Sequence, residues 1–160
     1  MNIFVLDRNI RKCAQYHCDQ HVVKMTLESV QILCTVLNER GVSTPYKSTH
    51  SQHPCVLWAA ASSDNFLWLR ELAMELNREY RYRYAKTCDH GALAALPDIS
   101  LGNWSPSGLT EFVQVMPEQY RYKNNPVRAY RAFYRGQKAL FARWKKRRPP
   151  LWMMSALNKQ

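Results

Sequence analysis

Apolar residues return at helical intervals through the first quarter of the chain. Cys18, Val22, Met25, Ile32 and Val36 form one line, widened by Val30, Leu33 and Leu37, within a stretch from about Ile10 to Glu39. A stripe of that period predicts one long amphipathic helix, and Gly41 stands where such a helix stops. Ahead of it, Ile3 to Leu6 is an apolar run ending at Asp7. It reads as a short buried strand whose visible pairing partner is Val113–Val115. Residues 42–53 form a polar loop. Pro54 sits where a first helical residue tolerates proline, with His53 held extended before it. A short apolar turn, Cys55 to Ala61, leads into Ser62-Ser63-Asp64, which caps a second long helix running to about Lys86. Leu69, Ala73, Leu76, Tyr80 and Tyr84 make its inward stripe.

Residues 88–116 hold Gly91, Pro97, Gly102, Pro106 and Gly108. They predict a long loop region with one short helix near Ala92 to Leu96. Asn125-Pro126 reads as a cap followed by proline in the first turn of a third helix. That helix runs to about Trp144, with Val127, Tyr130, Tyr134, Phe141 and Trp144 on one side, and Pro149-Pro150 stops the chain from continuing it. The pattern predicts a mainly α fold: a single-domain helical bundle over residues 1–160, with three principal helices, a long central loop region and a short N-terminal β-strand. At 46% hydrophobic residues and 12% aromatics, the chain has enough apolar side chains for a core.

Charge changes this picture. Residues 1–120 carry 11 Lys/Arg and 12 Asp/Glu, whereas residues 121–160 carry the other 12 Lys/Arg and no carboxylate. The strongly basic segment 121–160 also holds Tyr122, Tyr130, Phe133, Tyr134, Phe141, Trp144 and Trp152. Cations interleaved with aromatics suit a polyanion whose bases stack, so the expected partner is a nucleic acid or nucleotide and not a membrane. Arg128, Arg131, Arg135 and Lys138 recur as a cationic row on the third helix and are the expected phosphate contacts. No apolar run approaches the length of a membrane span. Five cysteines without CxxC spacing read as reduced thiols of a cytoplasmic protein, in a bacterial cell or a phage-infected host.

Candidate chemistry lies on the first helix. His17, His21, Lys24, Glu28 and Gln31 are spaced 4, 3, 4 and 3 apart, one polar line bordering the apolar stripe. Imidazole, ammonium and carboxylate together supply acid–base groups and a charge for phosphate. The ordinary alternative is an amphipathic helix with a Lys24–Glu28 pair on its boundary. A second group, Tyr46-Lys47-Ser48-Thr49-His50-Ser51-Gln52-His53, places two more histidines and Lys47 before a helix start. His21, Glu28, His50 and His53 are the expected catalytic groups. Lys24, Lys47 and Arg83 would meet phosphate, and Asn65 with Trp68 would hold a base. For Trp58 and Trp68, packing in the core is the ordinary reading. No cofactor is expected. A divalent metal enters only if His17, His21, His50 and His53 converge, and the spacing lacks HExxH.

The runs Met-Asn-Ile-Phe-Val-Leu-Asp (1–7) and Cys-Ala-Gln-Tyr-His-Cys-Asp-Gln-His-Val-Val-Lys-Met (13–25) resemble a group of small phage and bacterial proteins associated with DNA base repair or modification. The similarity continues through Tyr46-Lys47, His50, His53-Pro54, Trp58, Asn65 to Leu69, Glu79-Tyr80, Met116-Pro117-Glu118 and Arg148-Pro149-Pro150. The resemblance implies a phage-like context but supplies no mechanism. The N-terminal nucleophile arrangement of pyrimidine-dimer glycosylases has no counterpart recognisable after Met1. The expected function is an enzyme acting at a base or its glycosidic bond by acid–base chemistry, glycosylase-like or a nucleotide hydrolase. A metal-dependent phosphohydrolase or nuclease is the second reading. A non-enzymatic nucleic-acid binder or nucleotide-sequestering protein is the third.

Overall fold

A computed structural model describes residues 1–97, 104 and 108–158. Among them the fold is mainly α, with helices α1 (Ile10–Tyr16), α2 (Asp19–Glu39), α3 (Pro54–Ala61), α4 (Ser63–Tyr84), α5 (Pro126–Gln137) and α6 (Leu151–Leu157). Single 3-10 turns occupy Gly91–Ala95 and Glu118–Tyr120. Helices α2 and α4 form the central pair, with α1 and α3 packed against them.

The long helix expected over Ile10 to Glu39 is two helices. His17 and Cys18 are extended, with ψ of 136° and 165°, and break the path between α1 and α2. The cause lies on α4. Fully buried Arg83 donates to the carbonyls of Gln15 (2.9 Å) and His17 (2.8 Å), and to Asp19 in the first turn of α2 (3.0 Å). A guanidinium thereby satisfies carbonyls that a continuing helix would have used. Glu79 accepts its remaining Nε–H at 2.9 Å. The buried positions keep their period across the break, so periodicity does not reveal it.

Two capping expectations have structural counterparts. The Ser62 hydroxyl accepts from Asn65 N at 3.0 Å, and α4 ends at Tyr84. Asn125 accepts from Arg128 N at 3.0 Å with Pro126 opening α5. The third helix is shorter than expected, because it stops at Gln137 and turns lead to Trp144. The helix after Pro149-Pro150, α6, carries no signal in the sequence beyond those prolines, which serve as its entry.

Among the described residues there is no β-strand. Ile3 to Leu6 is buried, but its backbone is met by side chains: Leu6 N donates to Cys13 Sγ at 3.3 Å, and Cys13 Sγ donates to Phe4 O at 3.3 Å. The expected partner Val113–Val115 does lie alongside, joined through the side chains of Asn2 and Tyr130. Of the expected loop region 88–116, residues 98–103 and 105–107 lie outside the described residues. All five cysteines are free, and only Cys88 is exposed. No helix among the described residues is long and apolar enough to cross a membrane.

Candidate active site

The polar line on α2 meets two different environments. At its start, His17 and His21 are buried among aromatic rings. The His21 ring stacks on Phe4 (centroids 4.7 Å apart), meets Tyr134 and Phe141 edge-on, and shares a hydrogen bond between its Nδ1 and the Tyr134 hydroxyl. His17 Nδ1 donates to Cys13 O at 2.8 Å, while its Nε2 is buried without a partner. Burial pushes His17 down to about 4, with Arg83 adding to the effect. Burial, with lesser contributions from His17, Lys138 and Lys24, pushes His21 down to about 3. Both imidazoles are therefore neutral packing elements at neutral pH.

Two turns further along, Glu28 faces the amino end of the chain. Its Oε2 accepts from Asn2 N at 3.0 Å and lies 3.8 Å from the Met1 amino group. Lys24 Nζ stands 3.6 Å from Oε1 on the solvent side, its side chain 65% exposed against 13% for Glu28. Asn2 is itself fixed. Its carboxamide donates to Val115 O at 2.8 Å and accepts from Ile3 N at 2.8 Å and from the Tyr130 hydroxyl at 3.0 Å.

The histidine loop comes to this place. His53 caps α3, its Nδ1 accepting from Cys55 N at 3.2 Å, so the neutral ring carries its proton on Nε2. Burial lowers its pKa first, the positive amino end and His50 lower it further, and Glu28 opposes them. His50 is exposed, bonded to Thr49 Oγ1 at 2.7 Å, and held at φ 51°, a left-handed backbone uncommon outside glycine. Buried Cys55 lies under the amino end. Burial chiefly, and the Glu28 carboxylate in addition, pushes its thiol up to about 12, so it is no nucleophile at neutral pH.

The other expected site residues lie elsewhere. Asn65 is buried, donating to Trp58 O (2.7 Å) and Thr110 Oγ1 (2.8 Å) and accepting from Thr110 N (2.9 Å), which leaves no free edge for a base. Trp68 packs edge-on against Trp58 and Phe112. Arg83 is enclosed and its donors are directed at protein acceptors, so phosphate cannot reach it. Arg131 on α5 donates to Leu6 O and to Asp7, each at 2.8 Å. Arg128 is exposed over the Tyr122 ring, and Arg135 lines a cavity of about 680 Å³ with Tyr120 and Tyr122. Lys47 is exposed on the histidine loop. Among the described residues no group of three or more His, Cys, Asp or Glu side chains is arranged to hold a metal; His17 and His21 are confined to the aromatic box, away from the His50–His53 loop.

The amino end is the functional candidate that sequence reasoning missed. A signal for it existed: a buried apolar run starting at residue 3 must draw the first residues of the chain onto the protein surface. An amine beside a part-buried carboxylate sets a nitrogen nucleophile next to a proton acceptor. Residues 1–91 match the family model of pyrimidine dimer DNA glycosylases, and the chain belongs to that family. The match supports the association with DNA base repair and shows a kinship with those enzymes that the residues after Met1 did not reveal. It takes in the amino end, Lys24, Glu28 and the histidine loop, and stops before α5. No curated relative and no solved structure matches the chain.

Proposed function

We propose that this protein is a DNA glycosylase acting on pyrimidine-dimer lesions, with the amine at the amino end of the chain as nucleophile and Glu28 as its acid–base partner. The observation that carries this reading is the seating of the amino end on Glu28. The family match supports the substrate class. An α-amino group ordinarily loses its proton at lower pH than a lysine, near 8 against about 10.4, and is therefore the better nitrogen nucleophile near neutrality.

The neutral amine forms a bond to C1′ of the deoxyribose as the C1′–base bond breaks. The base takes that electron pair and a proton from water, and stays joined through the cyclobutane ring to its neighbouring thymine. The proton lost by the amine passes to Glu28. The nitrogen lone pair then expels O4′, which takes the proton back from Glu28, and the product is an iminium that water hydrolyses. Lys24, beside Glu28, and the exposed Lys47 and His50 of the histidine loop meet the phosphates flanking the lesion, and His53 presents its Nε2–H near the amino end. Arg128 and Arg135 add contacts to the backbone at a distance. Reaching C1′ requires the damaged nucleotide to leave the stack, which a lesion that weakens pairing makes cheaper.

Borohydride trapping tests the reading. With a duplex carrying one cyclobutane thymine dimer, reduction should link protein to DNA, and peptide mass mapping should place the link on the first residue of the purified protein. A link on Lys24 would reassign the nucleophile. Absence of both the adduct and an alkali-labile abasic site at the dimer would overturn the reading, and loss of activity on chelation would favour the metal-dependent alternative.

A further inference from the structure

Residues beyond 91 contribute nothing to the family match, yet they grip the amino-terminal segment at both ends. Tyr130 and Arg131 are neighbours on α5. The Tyr130 hydroxyl, fully buried, lies 3.0 Å from Asn2 Oδ1 and 3.0 Å from Val113 O, and it accepts from Val115 N at 3.3 Å. Arg131 holds the other end of the segment at Leu6 O and Asp7. Burial keeps the Tyr130 phenol protonated, so it serves as a donor.

Chain termini ordinarily fray. Here every polar atom of the Asn2 side chain is used: Oδ1 by Ile3 N and Tyr130, Nδ2 by Val115 O. With its side chain so held, Asn2 donates its main-chain N–H to Glu28 Oε2 at 3.0 Å, and the Met1 amine ahead of it lies 3.8 Å from the same oxygen. A buried polar network of this kind specifies one position for the residue it holds.

We infer that Asn2, Tyr130 and the 113–115 segment form a clamp that positions the amino end against Glu28, making Tyr130 and Asn2 positioning residues for the chemical step. This rests on the amine-nucleophile reading above. The clamp acts on reaction geometry, where a displacement of about 1 Å costs on the order of 100-fold in rate. It makes no contact with DNA of its own.

The experiment is single-turnover borohydride trapping and steady-state cleavage of dimer DNA by the full chain, with Tyr130→Phe, Asn2→Ala and the double variant. The clamp predicts a fall in kcat and in trapping rate of about 10- to 100-fold with KM for the duplex unchanged. It also predicts a double variant no slower than the worse single variant, because the two residues act as one unit. Asn77→Ala is the control for general destabilisation: its amide bonds Asp89 and the His90 backbone, remote from the amino end. It should lower thermal stability without lowering kcat. If the wild-type chain traps DNA and Tyr130→Phe traps it equally fast, the clamp is overturned and the glycosylase reading stands. If the wild-type chain neither traps nor cleaves, the reading beneath it fails.

Discussion

His21 and Glu28 sit on the same side of α2, two turns apart, and are drawn from the same polar line. One is sealed between Phe4, Tyr134 and Phe141, with its imidazole held neutral. The other faces the amino end with a lysine on its solvent side. The contrast comes from the segment laid along the helix. Phe4 covers the His21 end with a large ring, whereas Asn2 meets Glu28 with a backbone nitrogen. A polar line on a helix is thus sorted into buried packing and a part-buried carboxylate beside the amino end by what crosses it.

The largest effect expected from this contrast is at Glu28. Glu28→Gln keeps the shape and an acceptor for Asn2 N but cannot take a proton. Glycosidic cleavage at the dimer should fall by about 10²- to 10⁴-fold, with the melting temperature nearly unchanged. A variant retaining full turnover would place the acid–base group elsewhere.

His21→Ala should do the reverse. Removing a buried ring that contacts three aromatics leaves a cavity and costs roughly 2–4 kcal/mol, read by urea titration, while turnover per folded molecule stays close to wild type. A collapse of kcat in the folded variant would return His21 to the chemistry.

Acid separates the two ends as well. His17 and His21 have folded-state values of about 4 and about 3, below the ordinary 6.5. The unfolded chain therefore binds more protons between those values, and stability rises with pH across that window. It should be fully present above about 6.5 and fall as pH drops toward 3, by up to two protons' worth of slope. Replacing His21 with a neutral residue should remove about half of that slope in denaturant melts recorded from pH 7 to 4.

Lys24→Ala is the smallest change. Its exposed pair with Glu28 contributes at most about 1 kcal/mol, so stability should hold. Affinity for the duplex should drop a few-fold, with a shallower salt dependence. The same measurement on Lys146→Ala should show less change, because Lys146 already donates to Tyr82 O at 3.1 Å. Much of the basic tail is engaged in this way. Arg147 donates to both Glu79 oxygens, and Lys145 N binds Asp19. In the run Lys145 to Arg148 the charged groups of Lys146 and Arg147 are hydrogen-bonded to α4, while Lys145 is tied to α2 through its main-chain nitrogen and keeps its ammonium for DNA.

Local rules made much of this protein legible from its residues alone. The mainly α character, the His53-Pro54 and Asn125-Pro126 helix starts, the Ser62 cap and the core placement of Leu69, Ala73 and Leu76 all arise from interactions within about one helical turn, which periodicity and capping residues report directly. Glu28, Lys24, His50 and His53 were also visible as candidates, because residue type and spacing suffice to nominate a pocket. What tertiary structure alone decided involves partners far apart in the chain. Arg83 reaches back 66 residues to break the first helix at His17. Phe4 and Tyr134 make His21 a core residue. Tyr130, 128 residues from Asn2, brings the amino end to a defined place beside Glu28. A guanidinium or a phenol chooses its acceptor by distance in the folded molecule, and no pattern confined to neighbouring residues carries that distance.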